Sequence, residues 1–253
     1  MGGHDEGKRG DLAGVPAAPT VAAPMPQRAP AETLPSAPPP APPSRRPRAM
    51  DKEARRRAIL EAALAVFSAQ GFAAARLDDV ARGAGVAKGT LYLYFADKEA
   101  LFRGLVEEMI TPVLFDADAL VPQFAGTTRE LLDALIEMLV ERILDRPAQA
   151  IIRLMISEGP RFPELAAYYH REVAARGIAL LRQVARRARE RGEITSDAAE
   201  RFPQLIVAPA ILAVVWNALF GAIDPLDPRA LLRAHRDLLL AGLGWKDPCE
   251  ARL

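Results

Sequence analysis

Apolar positions recur three and four residues apart through most of the chain beyond residue 50, which is the spacing of a buried helical face. Ile59, Ala62, Ala63, Val66 and Phe67 fall on one such face, and Gly71 supplies the stop signal of a first helix beginning near Asp51. The pattern then predicts a short helix over 77–84, a break at Gly85, a second short helix over 88–95, and a longer segment from Asp97 with Pro112 in its middle. Further helices are predicted over 128–144, 148–157, 163–191, 197–220 and 228–243, separated by Arg146-Pro147, Gly159-Pro160, Gly192 and Asp224-Pro225. No alternating run of β-branched residues marks a strand, so the expected fold class is all-α and a sheet-based enzyme core is not expected. The apolar run from Leu205 to Trp216 contains Pro209 and falls short of the roughly 20 residues a bilayer crossing needs. It reads as a buried or interface helix, and no membrane partner is expected.

The first 49 residues break this pattern. They hold 12 of the 22 prolines and no aromatic side chain, too little apolar surface to offset the entropy of ordering. We read 1–49 as a disordered tail, with Pro38, Pro39 and Pro40 as a solvated linker. It lacks the unbroken apolar stretch of a secretory signal, and its acidic start argues against a transit peptide. One cysteine, Cys249, excludes an internal disulfide and points to a reducing, cytoplasmic setting. The net charge of +1 conceals a segregation: residues 45–98 hold eleven Lys and Arg against six Asp and Glu, whereas 99–253 hold nineteen against twenty-two. A basic block beside a mildly acidic remainder suits a small polyanion-binding module on a larger domain. Arg45, Arg46, Arg48, Lys52, Arg55, Arg56 and Arg57 run into the first helix, where they are placed to lie along a phosphate backbone.

The two short helices meet the requirements of a helix-turn-helix. Ala81 is small at the close approach, Gly85 tolerates positive φ in the turn, and Val80, Val86 and Leu91 form the seam. Lys88, Gly89, Thr90, Tyr92, Leu93 and Tyr94 then occupy the start and open face of the second helix, the part that enters a major groove. Lys88 can donate to guanine, Gly89 lets the backbone approach a base edge, and Leu93 suits a thymine methyl. Thr90, Tyr92, Tyr94 and Lys98 carry donors suited to phosphates. The alternative for Tyr92 and Tyr94 is a partly buried core aromatic, and Phe95 belongs to the core.

Residues 87–102, Ala-Lys-Gly-Thr-Leu-Tyr-Leu-Tyr-Phe-Ala-Asp-Lys-Glu-Ala-Leu-Phe, with Gly71-Phe72 and Leu77-Asp78-Asp79-Val80-Ala81, resemble the TetR/AcrR family of bacterial transcriptional regulators. The match covers residues 55–102. The resemblance implies a nine-helix, all-α homodimer, in which three N-terminal helices bind double-stranded operator DNA and a divergent C-terminal domain binds a small ligand. Its recognition-helix contacts fall on Lys88, Gly89, Thr90, Tyr92, Leu93 and Tyr94, and its phosphate contact at the fourth helix on Lys98. Where the family usually places Thr before helix two, this chain has Ala75 and then Arg76, so Arg76 is the candidate replacement. Arg55 joins these DNA-binding candidates. The implied organisation is a tail over 1–49, a DNA-binding domain over 50–98, a ligand-binding and dimerisation domain over 99–246, and a tail over 247–253.

Glu158 to Leu165 is similar to a connection found in some members' ligand domains. The family dimerises through its last two long helices. Here these carry Ile206, Ala210, Ala213, Val214 and Asn217 on the first and Leu231, Ala234, Leu238 and Ala241 on the second, at a spacing that two copies could build into a four-helix interface. Met109, Met138, Met155, Tyr168 and Trp216 are the candidate pocket residues, and they suit an apolar or aromatic effector. The segment from Asp97, read as one helix kinked at Pro112, is the expected link from pocket to DNA domain. No nucleotide-binding, serine-hydrolase or zinc-protease motif is present, and His4, His170 and His235 are too scattered for a metal cluster. The expectation is a ligand-responsive repressor without cofactor, metal or catalytic activity. The rival is a helical adaptor that binds only protein, which leaves the recognition-helix pattern unexplained.

Overall fold

A computed structural model describes residues 52–246. The expected tails, 1–49 and 247–253, lie outside the described residues, as do Arg45, Arg46, Arg48, His4 and Cys249.

Every regular element among the described residues is helical. Helix α1, Lys52–Ala74, buries Ile59, Ala63 and Phe67 of the expected face, with Leu60 and Leu64 beside them, while Ala62 and Val66 are half-buried at its edge. It is the one described helix long and apolar enough to cross a membrane, but that apolar face packs into the core. Gly71 sits at φ 76°, ψ 162° and turns the chain, so that Phe72 points back into the core at 1 % exposure. Helices α2, Leu77–Gly83, and α3, Lys88–Tyr92, follow. Asp97 then caps α4, Lys98–Met109, by accepting a hydrogen bond from the Ala100 amide at 2.7 Å.

The segment expected to be one helix kinked at Pro112 is two helices. α4 stops at Met109, Ile110 has φ −113°, and α5, Thr111–Gln123, starts anew with Pro112 in its first turn, where a missing N–H costs nothing. Thr127 and Glu130 then close a capping box on α6, Thr128–Leu139, which widens into a π-type turn over Val140–Leu144. Helix α7, Gln149–Glu158, leads to a continuous rod made of α8, Pro163–Tyr169, a second π-type turn over His170–Ala174, and α9, Ala175–Glu190. Short α10, Ala198–Arg201, is parted from α11, Gln204–Phe220, at Phe202-Pro203, and α12, Pro228–Gly242, closes the fold. The breaks at Ile110 and Phe202-Pro203 and the wide turn in the rod account for the difference between these twelve helical stretches and the nine implied by resemblance.

One hydrophobic core runs from Ile59 and Phe72 through Val80, Leu91, Phe102 and Ile110 to Ile151, Leu165, Val214 and Leu232. The N-terminal helices therefore share their interior with the C-terminal ones. A second core, around Val121, Leu131, Val184 and Leu240, joins α5, α6, α9 and α12. Around it Arg187 donates to the carbonyls of Phe124 and Gly126 at 2.6 and 2.9 Å, and the buried Glu193 carboxylate accepts from the Thr128 amide at 2.8 Å. Phe72→Ala should cost about 3–5 kcal/mol in a urea unfolding titration, because it empties a fully buried aromatic site. Phe115→Ala, at a side chain 73 % exposed, should stay within about 0.5 kcal/mol.

Candidate nucleic-acid interface and ligand cavity

The turn between α2 and α3 is built as its residues require. Gly85 adopts φ 65°, the Ala84 amide donates to the Val80 carbonyl at 2.9 Å, and the Val86 amide donates to the Ala81 carbonyl at 3.0 Å. Val80, Ala81 and Leu91 are buried, and Val86 packs beside them. Fixing that seam leaves the other side of α3 facing outward. A side chain at Gly89 would meet nothing within 4 Å, Tyr92 is 46 % exposed, and Leu93 is 84 % exposed. A leucine so exposed at the end of a helix has no role in the chain's own packing. Thr90 is half-buried, Tyr94 is half-buried against the core, and Phe95 is buried beneath the Arg56 guanidinium, 5.7 Å from the ring centroid.

The basic residues divide by what holds them. The Lys88 ammonium lies 2.7 Å from Asp78 Oδ1, and this hydrogen-bonded carboxylate holds it above the usual lysine range. Both partners are exposed, so the pair is weak and an incoming guanine or phosphate can compete for the ammonium. Arg76 occupies the cap position of α2 with extended backbone, its side chain making no capping bond, while Ala75 is buried in the core. No hydroxyl stands there, and the exposed Arg76 is the polar group nearest to that place in the chain. Arg55 is half-buried on α1. Arg56 and Arg57, expected along a phosphate backbone, pair instead with α4: Arg56 with Glu108 and, at 3.8 Å, with Glu107, and Arg57 with Glu108 at 3.7 Å. They clamp α1 to α4, a role that charge pattern alone does not separate from DNA contact. Lys98 also carries structure. Its ammonium donates to the carbonyls of Phe72 and Ala73 at 2.9 and 3.0 Å and lies 5.0 Å from the Phe72 ring centroid. One of its three N–H bonds remains for a phosphate.

A cavity of about 600 Å³ lies among α4, α5, α6, α7, the α8–α9 rod and α11, with walls that include Ile110, Leu139, Ile152, Tyr169, Ile178 and Val207. None of the five expected pocket residues lines it. Met109, Met138 and Tyr168 each sit one residue before a lining residue, and with Met155 they pack half-buried against the core. Methionine fills irregular core gaps as readily as pocket walls, so composition did not separate the two. The Tyr168 ring meets Phe102 at 6.5 Å, and Met109 lines a smaller cleft beside Pro112. Trp216 donates its indole N–H to the Asp224 carbonyl at 2.8 Å. Burial pushes the Tyr169 phenol up to about 12, so it is neutral at physiological pH.

The last two long helices also sort differently from their spacing. Ala210, Ala213 and Val214 are buried in the chain's own core, and Asn217 is engaged with the Leu226 backbone, donating to its carbonyl and accepting from its amide, each at 2.8 Å. Ile206 and Leu231 are half-buried, and Ala234, Leu238 and Ala241 are exposed. The outward face of α11 is made of Leu205, Leu212, Leu219 and Phe220, while Ile211 borders the cavity. Among the described residues no three His, Cys, Asp or Glu side chains gather as a metal site requires.

Comparison with known proteins places this geometry. The model for bacterial regulatory proteins of the tetR family matches residues 59–105, and that for the tetracyclin repressor-like C-terminal domain matches 122–237. The HTH-type transcriptional repressor SCO4008 of Streptomyces coelicolor is 33 % identical over 178 residues, 66 % of this chain and 82 % of that protein. The chain belongs to the TetR family. The HTH-type transcriptional regulator RutR of Escherichia coli is 30 % identical over 182 residues, 71 % of this chain and 69 % of the relative. Among solved structures, the SmeT–triclosan complex superposes with a TM-score of 0.66 at 20 % identity, covering 77 % of this chain and 93 % of that one. SmeT is the repressor of a Stenotrophomonas maltophilia multidrug efflux pump, and at that identity the likeness shows the fold. The matched span 59–105 contains α2, the turn at Gly85 and α3, the helix-turn-helix of the TetR-family fold.

Lys88→Ala should reduce discrimination at one base position by about tenfold or more while leaving random DNA nearly unaffected, as read by competition binding on single-base operator variants. Lys98→Met should weaken specific and random DNA alike and flatten the salt dependence by about one unit. Because Lys98 also ties the end of α1, the same change should lower the unfolding midpoint.

Proposed function

We propose that this TetR-family protein is a cytoplasmic repressor that binds a palindromic operator as a homodimer and leaves it when a small apolar effector fills the cavity. The observation that carries this reading is the joining of two features by one core: an outward recognition face at Tyr92 and Leu93, and an apolar cavity of about 600 Å³. Lys88 and Gly89 are placed to read base edges, Thr90, Tyr92 and Tyr94 to hydrogen-bond the backbone, and Arg55, Arg76 and Lys98 to hold phosphates.

Two helices connect the features. α4 begins at Lys98, which holds the end of α1, and twelve residues later, about 18 Å along its axis, gives way to Ile110 in the cavity wall. α7 places Ile152 in the same wall and packs along α1. A ligand that favours a wider cavity displaces these helices, and with them the spacing of two recognition helices in a dimer. DNA affinity then falls by the ligand's differential affinity for the two states, typically about 1–3 kcal/mol. The exposed apolar strip on α11, with Leu238 at 74 % exposure on α12, supplies the surface for a second copy.

Selection of bound duplexes from a random DNA pool should enrich an inverted repeat with half-sites about 34–36 Å apart, one helical turn. Enrichment of single half-sites, or of none, would contradict the dimeric repressor. Leu212→Glu combined with Leu238→Glu should give a monomer in analytical ultracentrifugation and weaken operator binding by about a hundredfold or more, because two half-sites are no longer engaged together.

A further inference from the structure

The cavity has a direction. It follows the α8–α9 rod from Tyr169, His170 and Val173 at the wide turn, past Gly177 and Ile178, to Arg182 on α9. Thirteen residues of helix separate Tyr169 from Arg182, about 20 Å along the axis. Over that length the cavity of about 600 Å³ has room for an extended hydrocarbon chain lying along the rod. The side chains between the two ends are aliphatic or glycine.

The two ends differ in charge. At one, Tyr169 is a neutral phenol beside the exposed His170. At the other, three arginines of α9 gather at Glu200. Arg186 and Arg189 take up Glu200 Oε1 and Oε2 at 3.2 and 2.8 Å, and these hydrogen bonds hold the carboxyl below its usual range. Arg182 receives only the Glu200 backbone carbonyl, to which its Nε donates at 3.3 Å. It has no carboxylate partner among the described residues, and its terminal N–H groups are uncommitted. Gln204, exposed at the start of α11, is among the residues lining the same cavity and carries an amide donor.

We infer that the cavity takes an extended single-chain carboxylate, its hydrocarbon lying along α9 and its head group bound by Arg182 with Gln204. This rests on reading the cavity as the effector site and narrows the effector from apolar to amphipathic and anionic. A carboxylate meets a guanidinium through two parallel charge-assisted hydrogen bonds, which neither an alcohol nor an ammonium head group can form.

The test is calorimetric titration of the full-length protein with dodecanoate, dodecanol and dodecyltrimethylammonium, below their aggregation concentrations, on the wild type and on Arg182→Gln. The wild type should bind dodecanoate about tenfold or more tightly than dodecanol and should reject the cation. Arg182→Gln should lose that preference while keeping its affinity for dodecanol, which also shows that the cavity is intact. Equal affinities for dodecanoate and dodecanol, or a preference that survives Arg182→Gln, would overturn the head-group assignment and leave the effector cavity standing. Binding of none of the three would overturn the chain-shaped cavity and the effector reading with it.

Discussion

Phe72 is the side chain on which the recognition helices and the cavity helices depend together. Gly71 takes a positive φ that other residues rarely adopt, and the turn drives Phe72 inward, where its ring meets Phe67 at 5.2 Å, Phe102 at 6.5 Å and Phe162 at 4.9 Å. Those partners belong to α1, α4 and the connection before α8. The Lys98 ammonium covers the same ring and binds the carbonyl of the same residue. A single aromatic cluster thus fixes where α1 ends, where α4 begins and how both rest on the C-terminal helices. The positive φ is what demands glycine here, since the group a Cβ on residue 71 would approach, Glu158 Oε1 at 2.9 Å, is the end of a flexible side chain.

The rest of the architecture follows from that anchor. α2 and α3 are too short to be stable alone, and their seam of Val80, Ala81 and Leu91 is held against α1 and α4. The recognition face can therefore be left bare, with an exposed leucine and a lysine paired only weakly to Asp78. On the far side the same core thins into a cavity, whose wall includes Ile110 where α4 breaks and part of the wide turn in the rod. Turns of π geometry recur at functional sites because they displace helix packing locally. Here the turn carries His170, Val173 and Ala174 into the wall.

The sequence made much of this legible and left some of it hidden, for physical reasons. Helix boundaries came through because Gly71, Gly85, Gly192 and the proline pairs mark them in chemistry that allows few alternatives. The helix-turn-helix came through because its turn, seam and open face each require a residue type. Pro112 was read as a kink, yet a proline at the start of a new helix and one inside a bent helix look alike until the backbone at Ile110 is seen. The pocket residues missed because neighbours along a helix point about 100° apart, so a choice one residue early, Met109 for Ile110 or Tyr168 for Tyr169, falls beside the cavity wall and not on it. On α11 the pattern is apolar on nearly every side, so spacing could not tell the inward Ala210, Ala213 and Val214 from the outward Leu205, Leu212 and Leu219. Arg56 and Lys98 show the limit for charge: both lie in the basic block, and both hold helices together.

The central claim is that recognition helix and cavity belong to one cooperative unit joined through the Phe72 cluster. The most direct measurement follows both ends of that unit during unfolding. The two tryptophans, Trp216 and Trp245, report from the C-terminal helices, and a fluorophore on Leu93→Cys, with Cys249→Ser, reports from the recognition helix. One shared urea midpoint for both signals is predicted. A label transition clearly below that of the tryptophans would show the recognition helix melting apart from the cavity, and would contradict the shared core as the link between them.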